Sequence, residues 1–95
     1  MPYTVRHVTS TPDSVRVTDD MLVYDVNGAK VAFLPDVALV PPGTCFLFNN
    51  IGSGAVSLNG SNSQTIDGLA TLSIVSTGRA IVVSDGSNWF TTSVA

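Results

Sequence analysis

The chain has 95 residues, of which 44% are hydrophobic and only 12% are charged, with a net charge of −3. A typical globular domain carries about 25% charged residues, and a small domain with so few charges tends to self-associate. We therefore expect another chain to cover part of its surface. The four basic residues are dispersed, which excludes an electrostatic footprint for nucleic acid or for anionic lipid.

Short strands separated by turn signals are predicted along the whole chain. Glutamate is absent and there is one lysine, so solvated helix faces lack their usual residues, whereas Val, Ile, Thr, Ser, Gly and Asn are typical of strands and turns. The predicted strands are residues 3–9, 14–18, 21–26, 30–34, 44–48, 55–58, 70–74, 79–84 and a last strand from Trp89. A short apolar piece lies at 37–40.

No window has a sustained helical period, and Gly or Pro interrupts the chain about every ten residues. This spacing predicts an all-β fold, a small antiparallel sandwich or barrel-like domain. Residues 1–95 form one domain, with N-terminal strands or an arm at 1–19 and a core module at 20–95. Asn27-Gly28 is the strongest short hairpin signal. Residues 46–48 and 80–83 are apolar on both faces, so one face can pack on the core and the other on a partner chain or a loop.

Catalytic and metal-binding patterns are weak. His7 is the only histidine, and Ser53 lies outside any nucleophile elbow. Cys45 is expected to be a small buried hydrophobe within an apolar run. The aspartates at 19–20 and in the segment 85–88 are expected in turns, although a calcium ion at an inter-chain axis stays open. We predict a protein that is not an enzyme, with no catalytic residue, no metal ligand and no cofactor.

Aromatic residues leave one small-ligand hypothesis open. Tyr3, Tyr24, Trp89 and Phe90 are candidates for a carbohydrate-binding face, because such faces need exposed rings beside polar groups. The alternative is that Trp89 begins a strand and covers one end of a thin core. The segment SDGSNWF, which contains the only tryptophan, fits either interpretation.

A series of segments resembles a known family. These are LPD (34–36), PPGTCFLFNNIGSGAVSL (41–58), QTIDG (64–68), TLSI (71–74) and RAIVVSDGSNWF (79–90). Together they resemble a β-module of tailed-phage virion proteins, found in head-decoration proteins, head fibres and tail-fibre domains. The resemblance covers about residues 20–90, and the opening YTVRHVTSTPDSVRVTDD is similar to the strands that precede the module. It implies a virion structural protein, typically a homotrimer around a three-fold axis, without catalytic residues.

Two roles exist within this family. The chain starts at Met1 and ends five residues after Phe90, without shaft sequence, which suits a capsid decoration or cement protein. We expect it to bind the major capsid protein on the outer surface of the virion capsid as a homotrimer and to stabilise the shell, with no nucleic-acid or membrane partner. The alternative is a receptor- or glycan-binding module of a head fibre or tail fibre.

Two residue sets are predicted to carry these contacts. Tyr3, Arg6 and Arg16 are the candidate capsid contact, because they place an aromatic ring and two of the four cations at the N-terminal end; an ordinary edge strand is the alternative. The second set has either a structural or a trimer-packing role, and whether the ring of Trp89 packs within one chain or between chains is open. It consists of Phe46, Phe48, Ile81, Val83 and Trp89.

Overall fold

The computed structural model describes the backbone of residues 4–94 and the side chains of residues 4–92. Its strands are β1 (Val5–Val8), β2 (Asp13–Ser14), β3 (Met21–Tyr24), β4 (Lys30–Phe33), β5 (Cys45–Asn50), β6 (Val56–Asn59), β7 (Thr71–Ile74), β8 (Arg79–Ser84) and β9 (Trp89–Val94), with a 3-10 helix at Val37–Leu39. They form a five-stranded sheet in the order β1-β3-β5-β8-β9 and a four-stranded sheet in the order β2-β4-β6-β7. The all-β prediction is confirmed.

Strand direction differs from the prediction of an antiparallel domain. From β1 to β6 the chain passes to the other sheet after every strand. Each strand and its next neighbour in the same sheet are therefore separated in sequence by one strand of the other sheet. Neighbours joined in this way run parallel, as β1, β3 and β5 do in one sheet and β2, β4 and β6 in the other. Only the pairings of β7, β8 and β9 are antiparallel. Both sheets are therefore mixed, and the antiparallel prediction is wrong for the first six strands.

Asn27-Gly28 marks a crossing between sheets rather than a hairpin. Gly28 has a φ of 88°, which favours glycine. The turn is held by a loop at 52–54: the Ser53 backbone N–H donates to Asn27 Oδ1, and the Ser53 hydroxyl accepts from the Gly28 N–H, both at 3.3 Å. The chain does turn at Asn27-Gly28, as the sequence predicts. The hydrogen bonds of the turn, however, join it to a loop distant in sequence and do not close a two-stranded ladder.

The ammonium group of Lys30 fastens the same end of the sandwich. Lys30 is only 1% exposed, and its Nζ donates to the carbonyls of Gly28 at 3.0 Å, Gly54 at 3.2 Å and Ser53. Burial lowers the pKa of this ammonium group. Asn50 is fully buried beside it, and its Nδ2 also donates to the Gly54 carbonyl, at 2.9 Å. The two side chains satisfy carbonyl groups of a loop that would otherwise be left without partners.

The structure differs from the sequence-based expectation at 14–18 and 37–40. The first segment contributes only its start to β2 (Asp13–Ser14), and the second is helical. Apolar alternation at 14–18 predicted that Val15 and Val17 share a face, yet Val15 is 5% exposed and Val17 is 50% exposed. The strand stops because Asp19 folds the chain back: its N–H donates to the Arg16 carbonyl at 2.9 Å and its Oδ2 accepts from the Arg16 N–H at 2.8 Å. The apolar piece at 37–40 forms the 3-10 helix, capped by the Asp36 side chain.

The core is one layer of side chains between the two sheets. Trp89 and Phe46 are fully buried with ring centroids 5.7 Å apart, and Tyr24 stacks on Phe48 at 6.2 Å. Trp89 thus packs within one chain, at the start of β9, where the strand-anchor interpretation expected it. Its indole N–H has no hydrogen-bond partner in this layer, so the contribution of Trp89 to stability comes from apolar burial and ring packing.

We predict that Gly52→Ala destabilises the fold by about 2 kcal/mol or more. An added Cβ would lie 2.1 Å from the carbonyl oxygen of Val26, so the backbone of the loop must move. Gly68→Ala is the control, since its Cβ meets nothing within 4 Å and only its φ of 81° is unfavourable, at about 1 kcal/mol. Urea unfolding followed by Trp89 fluorescence measures both values, and equal losses would contradict the collision.

Candidate interaction surface

Arg6 is held inside an ion-pair cluster. Its Nη1 donates to Asp13 Oδ1 at 2.8 Å, its Nη2 to Asp19 Oδ2 at 2.9 Å and its Nε to both Asp19 oxygens at 3.2 Å. A further bond joins Nη2 to the Ser14 carbonyl at 3.3 Å. The guanidinium therefore ties β1 to β2 and to the turn before β3, with its donors directed at groups of its own chain.

The surroundings of this cluster favour the charged form of Arg6 and the neutral form of Tyr24. The side chain of Asp19 is 2% exposed and that of Arg6 is 18% exposed. Hydrogen bonds to Asp13 and then to Asp19 raise the pKa of Arg6. The Tyr24 hydroxyl donates to Asp13 Oδ2 at 3.3 Å, and its pKa is raised, first by burial and then by the charge of Asp13. The geometry gives Arg6 a structural role.

The other two residues of the predicted capsid contact are placed differently. Tyr3 lies outside the described residues. Arg16 is exposed, and its backbone N–H belongs to the turn that Asp19 closes. The structure thus keeps the Arg16 side chain at the surface while it directs the guanidinium of Arg6 at Asp13 and Asp19.

The outward side of the five-stranded sheet carries a continuous apolar surface. In register across four strands lie Val5, Met21, Leu47 and Ile81. A second row joins Cys45, Val83 and Phe90 across β5, β8 and β9. We call this surface the outer apolar face. Its members are Val5, Met21, Cys45, Leu47, Ile81, Val83 and Phe90.

Charge is nearly absent from the outer apolar face. On strands β1, β3, β5 and β8, three outward positions are polar: His7, Asn49 and Arg79. They lie in one row across the sheet, together with Val23. None of the seven aspartates occupies such a position. The opposite sheet differs, because its outward positions on β6 and β7 carry Ser57, Asn59, Thr71 and Ser73. The five-stranded sheet is therefore the one whose outward side gains most from being covered.

A depression of about 290 Å³ lies in the outer apolar face. Its walls are two in-register rows, the apolar row of Met21, Leu47 and Ile81 and the polar pair of Asn49 and Arg79. Its floor comes from the strand backbone between these rows. The depression is apolar on one side and carries a guanidinium on the other.

The predicted packing residues divide between the two sides of the sheet. Phe46, Phe48 and Trp89 point into the core and are at most 2% exposed, so within this chain they have the structural role. Ile81 and Val83 are half-buried on the outer apolar face. Alternation along a strand separates the two groups, because neighbouring residues point to opposite sides. Sequence reasoning missed Met21, Leu47 and Phe90 as members of the face, since their alignment depends on the register between strands.

Cys45 corrects a further expectation. It is exposed rather than buried, because it occupies the first outward position of β5, one residue before the buried Phe46. His7 is also exposed, on β1 opposite Val23. Among residues 4–94, no group of three or more His, Cys, Asp or Glu side chains is arranged to hold a metal ion, and no helix in that range is long and apolar enough to cross a membrane.

Comparison with known proteins gives no relative from which a function can be transferred. No protein-family model matches the chain, and a search of the curated proteins found no similar sequence. The outer apolar face and the resemblance in the sequence are therefore the two features that bear on function.

We predict that Arg6→Met costs about 3 kcal/mol of unfolding free energy, because it leaves the buried carboxylate of Asp19 without its cation. Arg16→Met is the matched control; its exposed side chain predicts a change within about 0.5 kcal/mol. Urea unfolding at neutral pH measures both variants. A loss for Arg6→Met no larger than that of the control would show that the cluster contributes little to stability.

We predict that stability falls in acid through three loop aspartates. Hydrogen bonds from Ala38 N–H, the Thr91 hydroxyl and Asn88 N–H lower the pKa of Asp36, Asp67 and Asp85, respectively. A carboxyl with a lowered folded pKa binds fewer protons when folded, so its stabilisation is complete above about pH 5 and is lost as the pH falls through the folded pKa.

The variant Asp67→Asn isolates one of these carboxylates. It should lower stability at pH 7 and flatten the decline of unfolding free energy between about pH 5 and pH 2. Asp25→Asn, at an exposed position after β3, controls for the loss of one negative charge. An unchanged slope in Asp67→Asn, measured by urea unfolding across this range, would contradict a role for the Asp67–Thr91 pair.

Proposed function

We propose that this protein is a structural protein of a tailed-phage virion, a capsid decoration or cement protein. Copies of the chain associate into a homotrimer, bind the major capsid protein on the outside of the shell and stabilise it. The observation that carries the proposal is the outer apolar face, an apolar sheet surface that the described chain leaves uncovered. The resemblance of residues 20–90 to the virion module supports the same role independently.

The physical basis of this function is burial of interface area. Each contact that forms only in the assembled shell shifts the equilibrium toward assembly by mass action. A trimer presents three equivalent shell-binding surfaces, and once one is bound the others act at high effective concentration. Weak contacts of a 9.9 kDa chain then add up to stable attachment, which requires neither a catalytic group nor a cofactor.

We predict a particle of three times 9.9 kDa for the purified chain at micromolar concentration. Multi-angle light scattering measures this mass. A monomer across the micromolar range would contradict the trimer, because an apolar face that matters in the virion should already associate in solution.

The cement role has its own test. Phage heads are assembled without the protein, the purified chain is added, and the temperature at which the heads release DNA is recorded. Bound chain and a higher release temperature are expected. Heads that bind no chain, or that bind it and release DNA at the same temperature, would remove the cement role while the trimer measurement stands on its own.

A glycan-binding module is the second candidate, and a specific observation favours it. Phe33 is 41% exposed on the four-stranded sheet, between Ser14 and Asn59 in register. An exposed ring beside hydroxyl and amide groups suits stacking on a sugar. Trp89 is buried and is therefore unsuited to this contact. Phe33→Ala should abolish any glycan binding detected on an array, and an array without binding would dispose of this candidate.

A further inference from the structure

Phe90 projects from the outer apolar face. It is 44% exposed on β9, where it pairs with Val83 across the edge of the five-stranded sheet. A phenylalanine ring is a large apolar surface to leave in water. Its position follows from the alternation of β9, since Trp89 before it points into the core. The same strand thus provides an anchor of the core and an exposed ring on the outer apolar face.

The depression bordered by Leu47 and Ile81 lies on the same face toward β3. Its volume of about 290 Å³ accommodates an aromatic ring, given that a cavity of about 150 Å³ lined by apolar residues binds benzene. The guanidinium of Arg79 at its rim offers a cation to the face of a ring. The face therefore holds both a projecting ring and a recess of suitable size and chemistry.

We propose that Phe90 of one copy inserts into the depression between Met21, Leu47, Asn49, Arg79 and Ile81 of a second copy. The contact is heterologous, with the ring from one copy and the recess from the next. This contact deepens the proposed function. The number of copies in the cyclic assembly rests on that proposed function. The docking itself rests on the described face alone.

The Phe90 ring does not line the recess of its own chain. Between β9 and β3 lie three strand spacings, about 14 Å, and Val83, the partner of Phe90, is displaced from Ile81 by two residues, about 7 Å. This separation suits a cyclic assembly. A rotation axis perpendicular to the line from ring to recess brings the β9 side of each copy against the β3 side of the next, and such heterologous contacts close into a ring.

Charge favours a second copy of this chain as the occupant. Copies of the chain carry a net charge of −3, and the outward positions of β1, β3, β5 and β8 carry no aspartate, so these faces can meet without opposing carboxylates. The sheet face is roughly 24 Å by 20 Å, about 480 Å². A standard interface covers about 800 Å² per partner, so the face forms the apolar centre and the loops beside it form the rim.

The first experiment compares Phe90→Ala with Phe33→Ala by sedimentation equilibrium. The control removes an equally exposed ring from the opposite sheet. We expect Phe90→Ala to weaken self-association by at least about tenfold, as for a central aromatic at an interface, and Phe33→Ala to leave it unchanged. Retained Trp89 fluorescence shows that both variants fold. Equal association of Phe90→Ala and wild type would overturn the proposal, even where the trimer and the cement role hold.

The second experiment tests whether ring and recess belong to different copies. Leu47→Asp places a charge in the recess and keeps the ring, whereas Phe90→Ala keeps the recess and removes the ring. At a protein concentration near the wild-type dissociation constant, each variant alone should be largely monomeric, because its association is at least about tenfold weaker. Their mixture can form one intact contact per pair, so a heterodimer and nothing larger is expected. A mixture that stays monomeric would overturn the heterologous arrangement, as would either variant forming the wild-type assembly alone.

A third measurement identifies the contact directly. A benzophenone side chain placed at position 90 should cross-link to Met21 or Ile81 of another copy. Mixing isotopically light and heavy chains distinguishes this product from a link within one chain. Cross-links confined to the four-stranded sheet, or links only within one chain, would overturn the proposal.

Discussion

The two sheets share a single layer of buried side chains, and every strand depends on that layer because it can place only alternate residues there. Phe46 and Trp89 occupy its centre with their rings 5.7 Å apart. A chain of this length has no second layer, so each strand also presents residues outward. The four-stranded sheet presents Ser, Thr and Asn on its later strands, whereas the five-stranded sheet presents apolar residues. The outward side of the five-stranded sheet is thus apolar because the residues that alternate with its core positions are apolar.

Because the chain passes repeatedly between the two sheets, polar side chains form hydrogen bonds at the ends of the sandwich. Each crossing leaves carbonyl and amide groups that no ladder satisfies. At one end Lys30 donates to three carbonyls. At the other, β2 has only two residues, and Arg6 joins it to β1 through Asp13. Half of the four cations are therefore used within the chain, which leaves few of them for a partner.

The sequence predicted the strands better than their arrangement. The bounds of β8 were correct because the apolar run at 80–83 and the flanking Gly78 and Asp85 are local signals. Sheet membership and direction were missed, since the Asn27-Gly28 turn is equally compatible with a hairpin and with a crossing. Two-sided apolar strands did indicate an apolar outer surface. Its outline did not follow, because alignment of Met21 with Leu47 and Ile81 depends on register between strands far apart in sequence.

Assignment of the outer apolar face to contacts between copies restricts where a shell could bind. The remaining surface consists of the polar side of the four-stranded sheet and the loops at both ends of the sandwich. Arg6 is excluded because its donors are directed at Asp13 and Asp19, whereas Arg16 is exposed beside the same turn. An acidic protein that docks through one end needs a cation there to limit repulsion from an acidic partner. Arg16 is the cation that we propose for this contact, and the turn closed by Asp19 fixes its backbone in place.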